Sequence, residues 1–187
     1  MKKEDIFKSV IAIKRGDVIA FPTDTIYGLL ADATNPKAVE KVFKIKKRNR
    51  SKPFPVLVNS LTQAKKFAHI TKTQETILKK HWPGPYTFIL NYKSGLTKNA
   101  VSRDITVALR VPKETQIRAL LSATKKPLVA TSVNLAGEPG LNDASEIETY
   151  FQKKKLKPNL VVHARVPKNA RPSKIFNLTG NRPEKIR

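Results

Sequence analysis

No cysteine occurs among the 187 residues, glycine appears seven times and tryptophan once, and 14 acidic residues face 37 lysines and arginines. Without thiols the chain can make no disulfide framework, no thiolate metal site and no cysteine nucleophile. The few glycines fall in neither G-x-x-x-x-G-K-[ST] nor G-x-G-x-x-G, which removes the P-loop phosphate cradle and the dinucleotide fingerprint. His69, His81 and His163 are scattered without metal-ligand spacing, so no protein-held metal is expected. No serine sits in a nucleophile-elbow pattern either. No apolar run approaches the roughly 18 residues needed to cross a bilayer. The opening MKKEDIFKSV places acids where a secretory segment would begin its apolar stretch, so a cytoplasmic protein that does not engage membranes is the expectation.

What is present is a formal net charge of +23 with a hydrophobic fraction of 40%. The length and apolar content suit one domain over residues 1–187 with a real core. The charge points to polyanionic partners, nucleotides or nucleic acid, without choosing between them.

Hydrophobic period alternates between helical and extended pieces. Ile6, Val10 and Ile13 recur at helical spacing before Gly16, and 18–21 reads as a buried strand. Asn35 caps a helix that opens on Pro36 and ends near Lys46. Ser60 and Thr71 cap two more helices, the second stopped by Pro83-Gly84-Pro85. Stretches 54–58, 86–92, 105–110, 128–131, 160–162 and 175–178 read as strands, with helices around 117–121 and 144–151. Strands interleaved with helices in irregular order predict an α/β domain with a mixed sheet. The polar stretch 153–157 and the loop 166–172 read as basic connectors.

Three polar clusters lie at strand ends, where ligands sit in open α/β sheets. Thr23, Asp24, Thr25 and Tyr27 follow the first strand, and a capped turn is the plain alternative for Thr23 and Asp24. Lys46, Lys47, Arg48, Arg50 and Lys52 put five cations into seven residues. A helix C-terminus accounts for one or two of them; five suit a polyphosphate or an RNA backbone, with arginine making two-point contacts and lysine acting as a point charge. Ser132 and Asn134 supply neutral donors after the strand at 128–131. Arg110 and Ser173 are single polar residues at strand boundaries.

Together, Pro22-Thr23-Asp24-Thr25-Ile26-Tyr27-Gly28-Leu29, Lys46-x-Arg48 with Lys52-Pro53, Trp82-Pro83-Gly84-Pro85, Leu109-Arg110-Val111-Pro112, Ser132-x-Asn134 and Asn177-Leu178-Thr179-Gly180 closely resemble the YrdC/Sua5 family. The resemblance implies a twisted mixed parallel/antiparallel sheet with helices around a basic cavity, in the short single-domain form. It also implies synthesis of threonylcarbamoyl-AMP and pyrophosphate from L-threonine, bicarbonate and ATP with Mg²⁺, for t6A modification of tRNA by downstream transferase proteins. By the same resemblance Lys46, Arg48 and Lys52 hold phosphates, Lys46 and Arg48 serving catalysis. Ser132, Asn134 and Ser173 bind the nucleotide, and Thr25, Tyr27 and Arg110 bind threonine.

Such chemistry needs stabilised phosphate charge and no protein nucleophile, in keeping with what the sequence lacks. Leu30 stands where the family commonly has a small residue, and Asn177 where it frequently has aspartate. Similar proteins continue past the position of Arg187 into a glycine. Two other readings remain: a non-catalytic module of the same fold binding double-stranded RNA or tRNA, and a carbamoyl-transfer accessory domain of the kind found inside hydrogenase maturation factors.

Overall fold

The computed structural model describes residues 2–164, 166, 171–180 and 182–187, so most of the connector expected at 166–172 lies outside the described residues. Helix α1 (Lys3–Arg15) ends where Gly16 turns left-handed at φ 82°. Strands β1 (Ile19–Phe21) and β2 (Gly28–Asp32) follow, joined by the turn 22–27. Helix α2 (Pro36–Lys46) starts on Asn35, whose side chain accepts from the N–H groups of Lys37 and Ala38 at 3.0 and 3.2 Å, and ends at Lys47 in the left-handed region. After β3 (Val56–Leu57), Ser60 and Thr71 cap α3 (Leu61–Phe67) and α4 (Lys72–His81). Then come β4 (Tyr86–Asn91), a 3₁₀ turn, β5 (Thr106–Arg110), α5 (Thr115–Thr124), β6 (Leu128–Ser132) and α6 (Ala144–Phe151). Strands β7 (Leu160–Val161), β8 (Lys174–Asn177) and β9 (Glu184–Lys185) complete the order.

Among the described residues nine strands form one sheet in the order β7-β1-β2-β6-β3-β5-β4-β8-β9. Pairs β1–β7, β3–β5 and β4–β8 are parallel and the remaining pairs antiparallel, so the expected mixed α/β sheet is found. Its two faces bury separate cores. Ile19, Phe21 and Leu30 pack with Ile13, Ile117, Leu120 and Leu121 of α1 and α5. Ala20, Leu29 and Ala31 point the other way, to Val39, Val42 and Phe43 of α2 and Ile147 and Phe151 of α6. The period-2 pleat therefore sends the apolar residues of β1 and β2 alternately into two apolar layers. No helix among the described residues is long and apolar enough to cross a membrane.

Candidate active site

Helix α2 delivers Lys46 into the interior, where the residue is 2% exposed. Its ammonium donates to Ser132 O at 2.9 Å and to the Asn134 side-chain oxygen, and lies 3.4 Å from Ser132 Oγ. Ser132 Oγ donates to Asn134 Oδ1 at 2.6 Å, and Asn134 Nδ2 donates to the Glu138 carbonyl. The backbone joins in, since Ala136 N donates to Lys46 O at 2.9 Å. One lysine thus holds the first residues of the loop after β6. Burial, with Arg48 adding to it and Glu138 opposing, lowers the Lys46 ammonium to about 8.

The five-cation run is sorted by the fold. Lys47 occupies the left-handed residue after α2, and Arg50 turns to pair with Glu40. Arg48 is half-buried, stacks its guanidinium 5.0 Å over the Phe54 ring and donates from Nε to Lys52 O at 3.0 Å. The Lys52 side chain is exposed. Arg48 is held below its usual pKa by burial first and by the Arg187 guanidinium second, which sets these two cations against one another. Strand β9 brings Arg187 there by pairing with β8, and Arg187 Nη2 donates to Ser173 O at 3.1 Å. Ser173 is buried with its hydroxyl 2.9 Å from Thr87 Oγ1. A second positive charge acting on Arg48 favours an anion beside it.

A second buried cluster forms at Arg110. In the sheet order β6 and β3 separate β2 from β5, about 14 Å in a flat sheet at ~4.8 Å per strand. Even so, the turn 22–27 reaches Arg110, as a strongly twisted sheet permits. Arg110 Nη1 donates to Thr25 Oγ1 at 3.1 Å, Nε donates to Gly84 O at 3.0 Å, and Nη2 lies 2.6 Å from Asp24 Oδ1. Burial lowers the Arg110 guanidinium and Asp24 opposes that shift. Thr23 Oγ1 accepts from the Thr25 and Ile26 N–H groups at 3.1 and 3.3 Å, which shapes the turn. Gly84 is irreplaceable on steric grounds, because a Cβ there would sit 2.4 Å from His81 O.

Tyr27 is not brought to this cluster. Its hydroxyl lies 2.7 Å from the carbonyl oxygens of both Val162 and Ala164 and accepts from Ala164 N at 3.0 Å, which uses up the group within the fold. Asn177 accepts from Thr179 N and Thr179 Oγ1 at 3.1 and 2.9 Å, closing the turn after β8. The two clusters adjoin through Gly28, which faces Ser132 in the β2–β6 ladder and whose Cβ position lies 3.7 Å from Thr23. Cavities of about 290 and 180 Å³ lie elsewhere, meeting at Asn59 and Ser60, and none of the residues above lines them. Asp24, Gly84 and Arg187 complete the two clusters without having been picked out as ligands from sequence. Asp24 reads there as one member of a polar cluster at a strand end, with a cap as the alternative, Gly84 as part of a helix stop, and Arg187 carries no local signal.

Fold and site together define an α/β protein whose buried cations gather at strand ends. The family model for Sua5, YciO and YrdC, described as "Telomere recombination", matches residues 11–187. Threonylcarbamoyl-AMP synthase of Psychromonas ingrahamii is 32% identical over 187 residues, 97% of either chain. P. abyssi Sua5 complexed with L-threonine superposes with a TM-score of 0.90 at 26% identity, over 100% of this chain and 54% of that one. E. coli YciO superposes at 0.89 and 25% identity, over 100% of this chain and 89% of that one. The chain belongs to the Sua5/YciO/YrdC family.

Proposed function

We propose that the protein is an enzyme, an L-threonylcarbamoyladenylate synthase of the nucleotidyltransferase class. The observation that carries this reading is the pair of adjoining buried clusters: an arginine with a hydroxyl at one, and a lysine bound to a serine and an asparagine at the other, with half-buried Arg48 close to that lysine in sequence. The first suits an amino-acid carboxylate and hydroxyl, the second a nucleotide. The threonine amine adds to bicarbonate with loss of water. The resulting carbamate oxygen then attacks the α-phosphorus of ATP and expels pyrophosphate. The chain's part is to position the reactants and to stabilise phosphate charge, chiefly through Lys46 and Arg48. Mg²⁺ would enter with ATP and add to the positive charge that Lys46, Arg48 and Lys52 offer its phosphates. The adenylate then passes to transferase proteins that modify tRNA.

The test is whether purified protein releases pyrophosphate and forms an AMP adduct only when L-threonine and bicarbonate are both present. Equal turnover without threonine would overturn the reading. Arg110→Lys should raise the threonine KM far more than the ATP KM, since lysine cannot make the planar two-point contact. Arg48→Ala should cost on the order of 2 to 4 kcal/mol in kcat/KM, the scale of one preorganised donor. Were the basic run an RNA site instead, Arg48→Ala would leave adenylate formation intact and weaken RNA binding.

A further inference from the structure

The Asp24–Arg110 pair has an unusual join. The two side chains are 13% and 6% exposed and meet at 2.6 Å, yet Asp24 Oδ1 and Arg110 Nη2 are both sealed from water without an aligned hydrogen bond. Their outer sides are well anchored. Arg110 donates to Gly84 O and Thr25 Oγ1, and Asp24 Oδ2 accepts from Lys113 N at 3.1 Å. Two firmly placed halves therefore share a poorly made contact between them. A buried pair of this kind offsets its desolvation badly, whereas each charge alone would gain from a well-aligned partner of opposite sign.

A free amino acid carries both partners: a carboxylate that matches the guanidinium and an ammonium that matches the carboxylate. Inserting such a zwitterion exchanges one misaligned contact for two aligned ones and leaves the net charge of the pocket unchanged. We propose that Asp24 receives the α-ammonium of the amino-acid substrate, and that the Asp24–Arg110 pair is an internal stand-in which opens to admit a zwitterion. This rests on the reading of Arg110 as the carboxylate partner. A carboxylate without an ammonium would separate the pair and strand Asp24 unpartnered. An amine without a carboxylate would strand Arg110. The pocket therefore rejects each half-match by leaving a buried charge without a partner.

The experiment is calorimetric binding of L-threonine and of (3R)-3-hydroxybutanoate, which keeps the carboxylate, hydroxyl and methyl group and lacks the ammonium. The unsubstituted protein should prefer threonine by about tenfold or more, the scale of one charge-assisted hydrogen bond. Equal affinity for the two would overturn the proposal without any variant. Asp24→Asn should bring the ratio close to one, and Asp24→Glu should keep a preference for threonine. If Asp24→Asn weakened both ligands equally, or left the ratio intact, Asp24 would serve only to prop Arg110 and the proposal would fall. Arg110→Lys should weaken both ligands together. If it weakened neither, the assignment of the pocket itself would be at fault, an outcome separate from any shift in the ratio.

Discussion

Lys46 is a buried cation whose ammonium stands near 8, well below that of an exposed lysine. Its charge is present at neutral pH and is lost as pH rises through that value. If the ammonium serves the phosphates of ATP, the Kd for ATP should rise between about pH 7 and pH 9, and bound ATP should draw a proton back onto the protein at the upper end. Titration calorimetry in buffers of differing ionisation enthalpy reads both effects. Lys46→Arg, charged throughout, should flatten the profile, and an unchanged slope in that variant would place the titrating group elsewhere. The linked effect on stability has a definite sign. Between about pH 8 and the usual lysine range the unfolded chain holds the proton and the folded one does not, so Lys46 makes the fold more stable as pH rises through that window. Lys46, Ser132, Asn134 and Arg110 are legible in sequence because each stands at the end of an apolar run or a capped helix. Asp24 is legible only as one of two readings, because a capping carboxylate and a carboxylate opposite an arginine 86 residues later look alike along the chain, and Gly84 reads only as a helix stop.

Among the elements, the entry into β5 carries the clearest local strain. Ile105 adopts φ 53° and is 66% exposed, and it is held there because its N–H donates to Ser102 O at 3.2 Å while its carbonyl accepts from Tyr92 N at 2.9 Å. The left-handed region costs a side-chain-bearing residue about 1 to 2 kcal/mol, and asparagine tolerates it better than a β-branched residue does. Ile105→Asn should therefore stabilise the protein by about 1 kcal/mol with adenylate formation unchanged. Urea denaturation measures it, and a loss of stability would mean that the exposed isoleucine packs better than its accessibility suggests. The elements that sequence reading misses have physical reasons of their own. Strand β2 is buried on both faces and so shows no alternation, and its hydroxyl-rich approach looks like a loop that runs on to Leu29. Strand β9 is two exposed charged residues, Glu184 and Lys185, whose only signature is the partner β8 provides. Helix α2 is read nearly to the residue because capping and period agree there, α6 matches its expected span, and α1 is read from its apolar period and its Gly16 end.

At the scale of the whole molecule, the +23 charge is mostly outward-facing; among the described residues the cations that turn inward are Lys46 and Arg110, with Arg48 half-buried. Those few come from far apart. Asp24, Lys46, Gly84, Arg110, Ser132 and Ser173 belong to successive stretches of the chain, and the order β7-β1-β2-β6-β3-β5-β4-β8-β9 makes neighbours of strands distant in sequence. The consequence is kinetic. No early folding intermediate built from local hairpins or single helices can offer a ligand more than a fragment of either cluster, and non-local pairing of this sort forms slowly. ATP and threonine can then act on only one arm of the chevron: unfolding should slow in proportion to occupancy while the refolding rate stays where it is without ligand. Stopped-flow refolding with saturating ligands tests this, and faster refolding in their presence would mean that a binding-competent nucleus assembles before the sheet is closed.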